Sequence, residues 1–198
     1  MDEAPSKISG QLLENLKRGD DHASDELVRV LYPLLQANIR RHIRNTADHD
    51  DVAQEIFMKI FLKIDQYRGP QPFEHWASRL AVNTCYDWLR KRRARPLVSY
   101  SDLSEKESEM IAATLSGDLS GDADMHQELL VGLLDKLIDG LKPREQIVIR
   151  LLDIGEQSIK EVSEATGWSD SKVKMTAMRA RRKLAERLHL LERNSYPK

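Results

Sequence analysis

The chain has 198 residues, enough for one ordinary domain or two small ones, and 40% of them are hydrophobic. Its single cysteine, Cys85, excludes a disulfide framework and a thiolate metal site, and no apolar run reaches the roughly 18 residues a membrane span needs. The net charge of −1 hides strong segregation: Arg90 to Arg95 holds five positive charges in six residues, positions 97–128 hold eight acidic residues against one basic, and 169–193 are basic again, eight against three.

Met1-Asp-Glu-Ala-Pro5 lacks the basic and apolar regions of a secretory signal, which predicts a cytoplasmic protein without membrane insertion. Residues 1–10 are polar and read as a frayed N-terminus. From 11 to 95 the apolar spacing predicts four helices: Gln11 to Lys17; Ser24 to about Arg44, with Pro33 inside to kink or split it; the cluster Asp48 to Asp51 onward to Ile64, acidic where the helix dipole is positive; and Phe73 to about Arg93. Asp65-Gln-Tyr-Arg-Gly-Pro-Gln-Pro72 breaks the chain before the last of these.

Residues 96–126 keep no apolar period and read as a flexible acidic linker. Order returns in 127–191. Leu129, Leu130, Leu133, Leu134, Leu137, Ile138 and Leu141 form one wide stripe. Lys142-Pro143-Arg144-Glu145 puts proline at a helix start, and the helix that follows buries Ile147, Val148, Leu151 and Leu152 until Gly155. No stretch alternates as a strand does. The expectation is therefore all-α, with two small helical domains on an acidic tether and a tail at 192–198.

Ser158 to Leu184 reads as a helix-turn-helix. Ser158 and Glu161 form a capping box, Gly167 suits a left-handed stop, and Ser169 caps a second helix with Val173, Ala177, Ala180, Leu184 and Leu188 on one stripe. Its cations are Lys172, Lys174, Arg179, Arg181, Arg182, Lys183 and Arg187. A short turn between two capped helices points to a reader of the DNA major groove. Arg181, Lys183 and Arg187 are equally readable as solubility charges.

In the first half, Phe73, Ala77, Leu80, Ala81, Thr84 and Trp88 fall on one helical arc, expected to face the core. Trp76, Arg79, Asn83, Asp87 and Arg90 occupy the adjoining arc, which offers cations for phosphates, an amide for base edges and an aromatic plane for stacking. Trp76 is also expected to pack partly in the core, and Asp87 reads better as an ion partner of Arg90 or Lys91 than as a base contact. On the preceding helix Asp51, Gln54, Glu55, Met58 and Leu62 share a surface arc that mixes acidic with apolar residues. A purely solvated face has no need of Met58 and Leu62.

Cys85, in a helical stretch, is expected to be a partly buried thiol. The chain carries no His-Glu-x-x-His, Gly-rich phosphate loop, Cys/His cluster or nucleophile elbow, and its six histidines are scattered. No enzymatic activity, cofactor, metal or small-molecule substrate is expected.

Asp48-His-Asp-Asp-Val-Ala-Gln-Glu-Ile-Phe-Met-Lys-Ile-Phe61, Phe73-Glu-His-Trp76 and Arg79-Leu-Ala-Val-Asn-Thr-Cys-Tyr-Asp-Trp-Leu-Arg-Lys-Arg-Arg93 together resemble domain 2 of bacterial sigma factors. Leu141-Lys-Pro-Arg-Glu-Gln146 and the helix-turn-helix resemble domain 4. With these two domains alone, over residues 11–95 and 127–191, the chain is similar to the extracytoplasmic-function (ECF) group.

The resemblance implies a subunit that docks on core RNA polymerase, at the clamp helices of the largest subunit through Asp51, Gln54, Glu55, Met58 and Leu62, and at the flap. It implies that the helix from Phe73 reads the −10 promoter element and that the loop from Tyr67 to Phe73 receives an extruded base. The contacts implied there are Tyr67, Trp76, Arg79, Asn83, Thr84, Asp87, Arg90, Arg92 and Arg93. For the −35 element they are Ser169, Ser171, Lys172, Lys174, Met175, Thr176, Met178, Arg179 and Arg182. Family members often carry Arg and His where Met175 to Met178 stand, so the −35 preference stays open. An anti-sigma factor is implied as a further partner. The alternative is a stand-alone helix-turn-helix regulator, whose first half senses a ligand or dimerises.

Overall fold

In a computed structural model, residues 8–69, 71–92 and 123–195 are described. Among them no strand occurs. The helices are α1 (Gly10–Lys17), α2 (Asp21–His42), α3 (His49–Lys63), α4 (Phe73–Lys91), α5 (Ala123–Asp139), α6 (Pro143–Ile149), α7 (Ile159–Thr166) and α8 (Asp170–Ser195), and α6 runs into a π-helical turn at Arg150–Ile154. They gather into two compact units. One combines α1 to α4 with Ser158–Ser169, and the other combines α5, α6 and the π turn with the chain from Asp170.

In the first unit α2 is the central pillar. Ala23, Leu27, Leu31, Leu35 and Ile39 recur every four residues and are buried, so one stripe of α2 meets both α3 and α4. Val52, Ile56 and Ile60 of α3 and Phe73, Ala77 and Ala81 of α4 complete this core. Burying each large aliphatic side chain stabilises by about 1.5–3 kcal/mol. Pro33 neither splits nor ends α2, which is one continuous helix of 22 residues. The proline is exposed, so water can serve the backbone carbonyl it deprives of a partner.

Several element ends differ from the sequence expectation. The helix expected from Ser24 begins at Asp21, because the Asp20 carboxylate accepts from the N–H groups of His22 and Ala23 at 2.8 and 3.2 Å. Residues 8–10 belong to the fold rather than to a frayed end: Ile8 is buried, and Ser9 Oγ accepts from Leu12 N at 3.2 Å. The acidic linker expected at 96–126 lies outside the described residues up to 122, and its last four residues are already in α5. Acidic composition suits the positive end of a helix dipole as well as it suits a linker. The expected tail from 192 begins inside α8.

The second unit buries Leu133, Leu137, Ile138 and Leu141 against Ile147, Val148, Ile149, Leu151, Ala177 and Ala180. Ion pairs between its helices lock the packing. Arg150, itself buried, holds Asp135 at 2.7 Å and Asp139 at 3.1 Å. Lys183 reaches Glu145 at 2.6 Å, and the same carboxylate accepts from Lys142 N at 3.0 Å to cap α6. Arg187 donates to the carbonyls of Leu137 and Gly140 at 2.9 and 2.8 Å, closing the C-terminal end of α5.

Candidate nucleic-acid and protein interfaces

The exposed arc of α3 carries Asp51, Gln54, Met58 and Leu62. Leu62 is 81% exposed and Met58 54% exposed. Phe61 joins them at the surface and stacks on Phe57 with ring centroids 6.5 Å apart. Its position three residues after Met58 was the signal available in the sequence. Glu55 behaves differently from its neighbours. It is half-buried and pairs with Lys59 at 2.9 Å and Lys91 at 3.5 Å, so its carboxylate is engaged within the protein. Burial is the largest influence on it and pushes its pKa up, but the two lysines together outweigh burial and hold the pKa below its ordinary value.

On α4 and the loop before it, Tyr67, Phe73 and Trp76 form an aromatic cluster, with centroid separations of 5.0, 5.9 and 5.1 Å. Phe73 is buried and anchors the cluster, while Tyr67 and Trp76 are half-buried and keep part of their rings toward solvent. Tyr67 Oη donates to Gln71 O at 2.5 Å, and Arg68 donates to Asp65 O, so the turn is closed on itself. Burial and the nearby Glu74 push the phenol pKa up, which keeps Tyr67 a donor. An open groove of 670 Å³ runs between Leu13, Glu14 and Lys17 on α1 and Tyr67, Arg68 and Gln71 on the loop.

Arg79 and Arg90 are exposed along α4, and Arg92 is exposed just past its end. Asn83 is half-buried and donates from its amide nitrogen to Arg79 O at 2.9 Å. Asp87 lies 3.8 Å from Arg90 and 4.0 Å from Lys59, the ion-partner role read from the sequence. Thr84 is a correction. It is 1% exposed, donates to Leu80 O at 2.8 Å and accepts from Lys59 at 3.1 Å, so it supports the helix from beneath and presents nothing to a ligand. This agrees with the core arc on which its spacing puts it. Trp88 of that arc is half-buried. Arg93 lies outside the described residues.

In the helix-turn-helix the local geometry follows the residues. Glu161 accepts from Ser158 N at 2.7 Å, Ser158 Oγ accepts from Glu161 N at 3.2 Å, and Gly167 takes φ = 74° in the left-handed region where a side chain is strained. Helix α8 follows directly after Ser169. Ser171, Lys172, Lys174, Met175, Met178, Arg179 and Arg182 are exposed on its leading turns. Thr176 is again a correction: it is 8% exposed and donates back to Lys172 O at 2.7 Å. Of the expected stripe, Val173, Ala177 and Ala180 are buried and Leu184 is partly so, whereas Leu188 is 42% exposed because the core ends before it.

The three cations that were readable as solubility charges have internal partners. Arg181 forks onto Asp153 at 2.5 and 3.1 Å, and Lys183 and Arg187 tie α8 to the rest of its unit as described. Cys85 is buried, and burial pushes its thiol pKa up to about 12. Among the described residues no group of three or more His, Cys, Asp or Glu is placed to hold a metal, and no helix is long and apolar enough to cross a membrane.

Two comparisons of sequence and one of structure bear on this arrangement. Residues 27–95 match the family described as Sigma-70 region 2, and residues 132–184 match Sigma-70, region 4. The chain is 28% identical over 182 residues to the ECF RNA polymerase sigma-E factor of Escherichia coli (strain K12), covering 92% of this chain and 95% of that protein. It is 34% identical over 99 residues to the RNA polymerase sigma-H factor of Pseudomonas aeruginosa, half of each chain. Among solved structures, the fold is similar to that of CnrH in complex with the cytosolic domain of CnrY. The TM-score is 0.51 at 23% identity, over 90% of this chain and 96% of that one. An exposed apolar arc on α3, a cationic and aromatic face on α4 and a basic second helix in a helix-turn-helix thus occur on matched sigma regions in the expected order, and the chain belongs to the ECF group of sigma-70-type RNA polymerase sigma factors.

Proposed function

We propose that this sigma factor divides its work among three surfaces. The exposed arc of α3 docks on the clamp helices of core polymerase, the outer face of α4 with the Tyr67 loop captures the opened −10 strand, and the leading turns of α8 read the −35 major groove, with a flap contact nearby. The observation that carries this reading is the exposure of Leu62 and Met58, with Phe61 beside them. Apolar surface on a helix that already supplies a complete buried stripe supports a protein partner rather than solvent or phosphates.

The docking role is assigned to Met58, Phe61 and Leu62, with Asp51 and Gln54 at the rim. Glu55 is a weaker candidate, since Lys59 and Lys91 already occupy its carboxylate. At the −10 face, Arg79, Arg90 and Arg92 suit phosphates, while Trp76 and Tyr67 offer partly open rings for a stacked base. Extruding a base costs a few kcal/mol, which polymerase contacts and strand capture must supply. At the −35 face, Lys172, Lys174, Arg179 and Arg182 are the exposed cations, and each good bidentate pair with guanine discriminates by about 1–3 kcal/mol. A partner that covers the α3 arc would block polymerase docking, and this is how an anti-sigma factor would act here.

Size-exclusion chromatography with core polymerase tests the central assignment. Wild type should co-elute with the enzyme, and a Met58→Glu/Leu62→Glu variant should not, while keeping wild-type helical content. Undiminished co-elution of that variant would overturn the α3 assignment.

A further inference from the structure

The outer face of α4 is not free within its own unit. Ser158–Ser169, comprising α7 and the turn after it, belongs to the same compact unit as α4 and packs on it. Arg79 donates from Nε to Glu164 O at 2.9 Å. That carbonyl lies in the last turn of α7, at the negative end of the helix dipole, where backbone oxygens lack helical partners and a guanidinium is favoured. The same guanidinium lies against Gly167, where an added Cβ would sit 3.5 Å from it. About two turns further along α4, the Tyr86 ring meets Trp168 edge to face, with centroids 5.5 Å apart, and Arg90 lies 5.9 Å over the Tyr86 ring.

We propose that Ser158–Ser169 is an intramolecular latch on the promoter-facing side of α4, held by Arg79 on the Glu164 carbonyl and by Tyr86 on Trp168. This rests on the reading of that face as the −10 strand site. The competition is one of chemistry as well as space. A phosphate offers Arg79 the acceptor that Glu164 O now supplies, and a base stacking on Tyr86 needs the ring that Trp168 now meets. The Arg79 hydrogen bond is exposed to solvent, so the latch holds the free protein off DNA yet yields when other contacts compete. Tyr86 thereby joins the α4 face as a residue the strand reaches only when the latch opens.

The test uses the full chain and a fluorescein-labelled, random-sequence single-stranded DNA of roughly 16 nucleotides, with binding read by anisotropy. In the absence of polymerase, Trp168→Ala should bind the probe about threefold to tenfold more tightly than wild type, the range one aromatic pair allows. A second variant, Tyr86→Cys/Trp168→Cys, keeps the result decisive where alanine disturbs folding. Joined by a short bis-maleimide, which the buried native thiol cannot intercept, it should lose probe binding that the unjoined protein retains. Wild-type affinity for Trp168→Ala, together with equal binding by the joined and unjoined protein, would overturn the latch. If wild type captures the probe with core polymerase while these variants behave alike, only the latch fails. If wild type captures no probe even with the enzyme, the −10 reading fails and takes the latch with it.

Discussion

Lys59 and Thr84 are joined by a 3.1 Å hydrogen bond from the ammonium to the buried hydroxyl, and this bond ties the helix with the apolar arc to the helix with the cationic face. Lys59 also holds Glu55 at 2.9 Å, so one side chain serves both helices. Lys59→Met keeps the aliphatic stem and removes the charge. It should destabilise the first unit by about 1–2 kcal/mol, the range for a partly buried charged hydrogen bond. Thr84→Val should cost less. The double variant should cost less than the two single costs added, because both remove one shared interaction. Urea unfolding followed by tryptophan fluorescence measures all three.

Glu55 gives a pH dependence of known sign. Burial alone would raise its pKa, but Lys59 and Lys91 bring it below the ordinary 4.5. A carboxylate whose folded-state pKa is depressed contributes stability that is full above its unfolded pKa and disappears as pH falls through the folded value. Wild type should therefore exceed Glu55→Gln in stability at neutral pH, and the gap should close only on the acid side of 4.5. Urea midpoints for both proteins between about pH 7 and about pH 2 measure the gap. A difference that grows on acidification contradicts the ion-pair assignment.

The basic residues of α8 divide by role. Arg187 is buried and donates to two backbone carbonyls, so Arg187→Met should destabilise the second unit by about 2–3 kcal/mol, and Lys should restore only part of that. Arg179 is exposed. Arg179→Ala should leave stability within about 0.5 kcal/mol of wild type, yet weaken promoter binding in the presence of polymerase. Thermal unfolding and footprinting on one promoter separate the two effects.

Cys85 should be chemically silent. With the thiol buried and its pKa pushed up to about 12, native protein at mildly alkaline pH should resist iodoacetamide, and protein in urea should be alkylated fully. Mass spectrometry of the two samples decides.

How much of this was legible in the sequence varied with the kind of interaction. Local chemistry was readable: Ser158 with Glu161 and the left-handed Gly167 follow from residue type and spacing alone. So does the α4 core arc, on which Thr84 is buried although the family resemblance implies a DNA contact for it. Asp20 was missed as a cap because Gly19 before it reads first as a break. Contacts distant in sequence were invisible. Nothing around Arg150 indicates that it meets Asp135 and Asp139, and nothing around Arg187 indicates that it closes α5. Periodicity cannot register the π turn at Arg150–Ile154, since the helix ends at Gly155 and no further turn follows to show the change of phase. Thr176 and Leu188 were misplaced because a stripe shows which side of α8 is apolar, not how wide or long a neighbour covers it.

The central claim is that this chain gives core polymerase its choice of promoter. Transcript 5′ ends mapped after in vitro transcription from a library of upstream DNA, with core enzyme alone and with this protein added, test it most directly. Added protein should produce new start sites preceded by two shared sequence blocks about two turns of duplex apart. Those starts should vanish with Met58→Glu/Leu62→Glu. Identical start sites with and without the protein, or tight binding of the free chain to a two-fold symmetric site, would contradict the account.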